Sequence, residues 1–181
     1  MKTLIGTMLL GLAFVPCALH ATSASQIRVT HAWLRILPGD LPAGGYAMLQ
    51  NLGKQPVELT GARSKTYAQV ILHVSSLAGG TSRMRMVDAM QIPANGVAQL
   101  APGGYHLMLT QPIKPVLPGD HVLLTLTFAD GSATIATFLA RPANAMDAGP
   151  GNVAHAAARA SPTRASPNVH HDEHHDEHQP I

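Results

Sequence analysis

The chain has almost no thiol: one cysteine, Cys17, stands among 181 residues, and it lies inside an apolar leader. Once that leader is removed, neither a disulfide framework nor a thiolate metal site is available, so the core must hold by packing alone. Charge is also scarce, at 12% of residues and a formal +2. That excludes the basic surface a nucleic-acid binder needs and gives no basic cluster for an acidic substrate. Aromatic residues make up only 4%. No segment carries a sustained apolar period of 3.6 residues with caps, so long amphipathic helices are not expected.

What is present divides the chain into three parts. Residues 1–24 have the form of a secretory signal: Lys2, an uncharged apolar run from Leu4 to Ala18, then the small residues Ala21-Thr22-Ser23-Ala24 as cleavage sites. The apolar run is too short to be read as a membrane span, so no span is expected after signal removal. Phe14-Val15-Pro16 before Cys17 lacks the small residues of a lipid-attachment signal, so the cysteine is expected to leave with the leader. An exported, periplasmic protein follows.

Residues 25–141 read as one all-β domain, long enough to bury an adequate core without staples. Short strand candidates run over Ile27–Thr30, Trp33–Arg35, Gly45–Asn51, Val57–Ala62, Ala68–Val74, Arg83–Val87, Val97–Leu100, Tyr105–Thr110, His121–Phe128 and Ala133–Ala140. Turn residues separate them: Pro38-Gly39-Asp40, Gly79-Gly80, Asn95-Gly96, Pro118-Gly119-Asp120 and, as the clearest hairpin signal, Asp130-Gly131. Many short strands at such intervals indicate a sandwich or barrel.

Within that domain, His73, Met84, His106 and Met108 stand in the spacing H-x10-M-x21-H-x-M. Imidazole suits several late transition metals and a thioether suits Cu(I), so two of each describe a site for reduced copper better than one for zinc or iron. Residues two apart on a strand share a face, which lets His106 and Met108 reach one ion together. Single methionines and histidines are usually packing or surface residues. On that ground Met48 and Met90 are assigned to packing, and His31 and His121 to structural roles. Met86 shares a strand face with Met84 and is an additional candidate ligand, but the count of intervening residues favours Met84.

This spacing resembles that of the PCuAC family of periplasmic copper chaperones, over about residues 27 to 141. The flanks that carry the resemblance include Ala32-Trp33-Leu34-Arg35, Gly45-Tyr46-Ala47-Met48-Leu49-Gln50-Asn51, Ile92-Pro93-Ala94, Leu100 to Leu109, and Leu117-Pro118-Gly119-Asp120. Two features depart from the family pattern. No methionine follows His73 closely, and the family's Met-x-Met pair is shifted, as Met84-Arg85-Met86. The resemblance implies a cupredoxin-like Greek-key β-sandwich. It further implies delivery of Cu(I) to the copper subunit of a respiratory cytochrome oxidase, directly or through a thiol-bearing copper chaperone. Strand pattern alone does not select that topology from other sandwiches.

From 142 to 181 the composition shifts to Ala, Pro, Gly and Ser, which offers little to bury and is expected to stay disordered. It ends in His170, His171, His174, His175 and His178, interleaved with Asp172, Glu173, Asp176 and Glu177. Imidazole beside carboxylate suits Cu(II), Zn(II) or Ni(II) rather than Cu(I). The tail is therefore a second candidate metal site, for Cu(II) capture, and some members of the resembled family carry Met- and His-rich C-terminal extensions. The whole describes a monomeric carrier rather than an enzyme. A periplasmic copper buffer serving resistance is the alternative of like chemistry. A blue-copper electron carrier needs a cysteine ligand that the mature chain lacks. An adhesion module with incidental Met and His would bind no copper at all.

Overall fold

A computed structural model describes residues 22–149. The expected signal up to residue 21, and the expected tail from 150 onward with its histidines, lie outside the described residues. Ten strands form the domain: β1 Ile27–Arg35, β2 Ala43–Asn51, β3 Val57–Ser64, β4 Tyr67–Ala78, β5 Thr81–Met86, β6 Met90–Ile92, β7 Val97–Leu100, β8 Tyr105–Pro112, β9 His121–Phe128 and β10 Ala133–Arg141. One short helix, α1 Ser23–Gln26, precedes them. The sheet path runs β5-β4-β8-β2-β1-β10-β9-β3-β6, with β7 paired to β2 off that path. The result is the all-β open sandwich that the sequence predicts.

Two local events shape it. The alternating pattern of β1 buries Ile27 and Val29, then Ala32 and Leu34, so the buried parity changes partway along the strand. A register shift between Thr30 and Trp33 accounts for the change, with His31 at φ 51° as the extra residue. Such a bulge bends a strand and re-aims the side chains beyond it. Here it turns Trp33 away from the main core while keeping Leu34 inside. The expected pair of strands is thus one bulged strand, with His31 exposed at the bulge.

The second event is a fork on β2. Its first residues, Ala43–Gly45, pair with Leu107–Leu109 of β8, and its later ones, Ala47–Gln50, pair with Val97–Leu100 of β7. One strand thereby serves two neighbours along one edge. Between the layers lie Leu34, Leu49, Leu59, Ile92, Leu107, Leu109, Leu124, Leu126, Phe128 and Phe138, each no more than 1% exposed. Met90 is buried among them, in the packing role the sequence gives it.

The turns follow their chemistry. Gly79 and Gly80 both have positive φ (59° and 76°) between paired Ala78 and Thr81, as a type I′ two-residue turn requires. At Asp130-Gly131 the carboxylate accepts from the Ser132 hydroxyl, its N–H and the Ser23 N–H. These bonds hold Asp130 well below the usual carboxylate range, the Ser132 hydroxyl contributing most. The Ser23 bond and that from Ala24 N–H to Ser132 Oγ tie α1 to this hairpin. The packed chain therefore begins slightly before the expected start at residue 25. It also ends later than the expected boundary at 141, since Ala145 and Ala148 are buried against Trp33 and Tyr46.

Candidate metal centre

Strands β5, β4 and β8 lie side by side at one end of the sheet path, with β5 as its edge. Antiparallel pairing sets His73 of β4 opposite Met86 of β5 and opposite His106 of β8. In the same ladders Met84 faces Ser75, and Met108 faces Ile71. Directly paired residues share a face, as do residues two apart on a strand. The sheet register therefore gathers His73, Met84, Met86, His106 and Met108 on one face. All four residues predicted from the sequence stand there, with the additional candidate Met86. His31 and His121 are exposed on other strands.

The two imidazoles form the floor. Each is 8% exposed, and their rings meet nearly edge to face with centroids 5.8 Å apart. His106 Nδ1 lies 3.0 Å from the Gly104 carbonyl oxygen, which can only accept, so Nδ1 carries the proton and donates. The Nε2 lone pair then faces the Met84 sulfur at 3.1 Å. Two electron-pair donors turned on each other make a poor contact by themselves and a good one around a cation. His73 adds a buried Nδ1 with no hydrogen-bond partner. Burial, and secondarily the neighbouring His106, lower its pKa from the ordinary imidazole value, which keeps the ring neutral.

The rim is open. Met84 is 53% and Met86 65% exposed, and every residue of β5 is exposed. Among the described residues no three His, Cys, Asp or Glu side chains come together as a metal-holding group. The side chains gathered on this face are two imidazoles and thioethers, a donor set suited to Cu(I).

On the other side the site is walled by aromatic rings. Tyr46 stands 6.5 Å from the His106 ring and 4.5 Å from Trp33, centroid to centroid. The Arg35 guanidinium lies 5.4 Å from both the Trp33 and Tyr46 ring centres. Burial raises the Tyr46 pKa, with Arg35 opposing it, so the phenol stays neutral. Gly44 makes room for this wall, since a Cβ there would overlap the Tyr46 hydroxyl. In the sequence, Trp33, Arg35 and Tyr46 stand out only as marks of resemblance, with no place at the site. The signal available was the small pair Gly44-Gly45 directly before a tyrosine.

The chain is similar to known proteins in sequence and in fold. Residues 27–139 match the family described as "Putative lipoprotein LpqE-like". A relative from Leifsonia xyli subsp. xyli (strain CTCB07), named "Putative lipoprotein Lxx21020", is 29% identical over 141 residues, covering 73% of this chain and 83% of that protein. Among solved structures, the copper-bound PCuAC domain from PmoF2 aligns with a TM-score of 0.55 at 25% identity, covering 68% of this chain and 99% of that one. The Cu(I) form of DR1885 from Deinococcus radiodurans aligns with a TM-score of 0.52 at 26% identity, covering 69% and 83%. The fold is thus that of PCuAC domains. With well over half of its length matched, the chain belongs to the LpqE-like family.

Proposed function

We propose that this protein is a periplasmic copper chaperone that holds one Cu(I) on His73, Met84, His106 and Met108. The observation that carries the reading is the His106 Nε2 lone pair facing the Met84 sulfur at 3.1 Å beside the buried, unpartnered Nδ1 of His73. The copper-bound PmoF2 domain and Cu(I)-DR1885 support it, since both share the fold. Copper here is cargo. Thioethers need no deprotonation to bind, and neutral imidazoles release no proton, so loading has little proton cost near neutral pH. The half-exposed thioether rim on edge strand β5 leaves the ion open to ligand exchange, which favours delivery over storage. The recipient is the copper subunit of a respiratory cytochrome oxidase, or a thiol-bearing copper chaperone that serves it.

In this reading the chain is exported by cleavage of the leader, and the histidine-rich tail captures Cu(II). The matched family and the Leifsonia xyli relative, both named as putative lipoproteins, bear on Cys17, which in this chain follows Phe14-Val15-Pro16 rather than small residues. Intact-mass measurement of the mature protein should show an unacylated chain beginning near Ala21 to Ala24. No helix among the described residues is long and apolar enough to cross a membrane.

The deciding measurement is a Cu(I) titration against a colorimetric chelator. One equivalent is expected for the parent, with much weaker binding for His73→Leu and for His106→Leu. Unchanged binding in both variants would remove the reading. In a deletion strain, oxidase activity should fall at copper levels that leave growth unharmed. The reverse order would identify a resistance buffer.

A further inference from the structure

Arg35 ends β1 and Arg141 ends β10, and the two are Cα partners in the parallel ladder joining those strands. Like charges in direct register repel. No ion pair joins either to a carboxylate among the described residues, and four of the six carboxylates there are engaged elsewhere: Glu58 accepts from Gln91, Asp120 from the Leu117 N–H, Asp130 from Ser23 and Ser132, and Asp147 from the Gly149 N–H. Arg35 spends its Nε on the Ala145 carbonyl at 3.1 Å. Arg35 Nη2 and Arg141 Nε are buried and have no hydrogen-bond partner. The 142–149 segment roofs the pair, with Gly149 so close upon the Arg141 guanidinium that a Cβ there would overlap it.

We propose that Arg35 and Arg141 form a carboxylate-binding cradle beneath the 142–149 segment. Guanidinium groups present planar donor forks that match a carboxylate two bonds at a time. A carboxylate between them would supply acceptors to the unpartnered N–H groups and offset the repulsion of the paired cations. The cradle lies in the same cross-strand row as Met108: Arg35 pairs with Gly44, and Gly44 pairs with Met108. It is a second site on the face that carries the His and Met residues, separated from them by the Tyr46 ring over Gly44. The carboxylate has two sources, a free organic acid or the chain's own Asp172, Glu173, Asp176 and Glu177, which continue from the segment forming the roof. The proposal is independent of copper.

The test uses full-length, metal-free, 15N-labelled protein, following the arginine Nε–H resonances during titration with sodium acetate against sodium chloride at equal ionic strength. A companion protein carries Asp172→Asn, Glu173→Gln, Asp176→Asn and Glu177→Gln. Saturable acetate shifts of the Arg35 and Arg141 signals in both proteins, unmoved by the tail substitutions, identify a free-acid site. Shifts caused by the tail substitutions themselves, and reversed by acetate, identify the tail as occupant. Arg141→Lys keeps the charge and loses the fork, and should weaken the acetate response at Arg35 at least tenfold. The proposal is overturned if acetate moves neither signal more than chloride does in either protein while the tail substitutions move nothing, or if a folded Arg141→Lys binds acetate like the parent. The titrations of the unsubstituted and tail-substituted proteins together decide the matter even if Arg141→Lys fails to fold.

Discussion

His106 is aimed by a bond to the turn just before its own strand. Gly104 precedes it by two residues, and its carbonyl fixes the Nδ1–H tautomer, which leaves Nε2 toward Met84. A partner that fixes the tautomer also fixes the ring's orientation toward any ion it ligates. The choice between two methionines rests on the same geometry. Met86 is the direct ladder partner of His73, while Met84, one pleat along, is the one whose sulfur meets His106. Met84→Leu keeps volume and apolarity, a swap that usually costs under about 1.5 kcal/mol of stability. It should weaken Cu(I) binding by about tenfold or more, a factor worth about 1.4 kcal/mol, while Met86→Leu should bind nearly as the parent does. Chelator competition reads both, and the opposite ranking would move the ligand to Met86. Acid should act through His73. Its folded pKa lies below the ordinary 6.5, so the folded state binds fewer protons than the unfolded chain once pH falls through that value. Stability contributed by the neutral ring is then present above about pH 6.5 and lost as pH falls through the folded pKa. In metal-free protein, urea midpoints between pH 7 and pH 5 should fall more for the parent than for His73→Phe. Parallel curves would show that the ring is not held neutral by its surroundings.

Among the elements, strands with β-branched or alternating residues were legible in the sequence, and those whose reason lies elsewhere in the fold were not. β9 alternates cleanly, with Val122, Leu124, Leu126 and Phe128 inward, and so is visible as a pattern. β6 has three residues, too few to show a period, and exists because Met90 and Ile92 fill the space opposite Leu59 and Val57. The extension of β4 past Val74 runs through Ser75 and Ser76 and depends on pairing with β5. Register explains the site's own legibility: ligand spacing could be counted, but the aromatic wall needs the β1 bulge and the missing side chain at Gly44. The segment after Arg141 was hidden for a related reason. Alanine carries little apolar area, and Ala145 and Ala148 are buried only because Trp33 and Tyr46 are turned outward to meet them. Trp33 is the only tryptophan and is 4% exposed. A chain ending at Arg141 should therefore show red-shifted tryptophan emission and easier acrylamide quenching, whereas one ending at Gly149 should match the parent. Identical spectra for all three would mean that the segment does not cover the ring.

At the scale of the whole molecule, ligand types are segregated along the chain. The described domain brings imidazole and thioether together with no carboxylate at the site, while the sequence over residues 170–178 sets five histidines among four carboxylates. Soft donors hold Cu(I) and borderline-to-hard ones hold Cu(II), so the two oxidation states are expected to partition between the parts. The dividing point matters: cutting after Arg141 would also strip the cover from Trp33 and Tyr46, one ring away from His106. A chain ending at Gly149 keeps that cover and removes every tail histidine. It should retain one equivalent of Cu(I), since His73, Met84, His106 and Met108 all remain. It should lose most Cu(II) capacity, because the imidazole–carboxylate set is gone. Equilibrium dialysis with Cu(II), and chelator competition with Cu(I) under reductant, measure the two independently. Full Cu(II) capacity in the shortened chain would make the tail a solvated appendage. Loss of Cu(I) with the tail would instead place a needed ligand beyond residue 149.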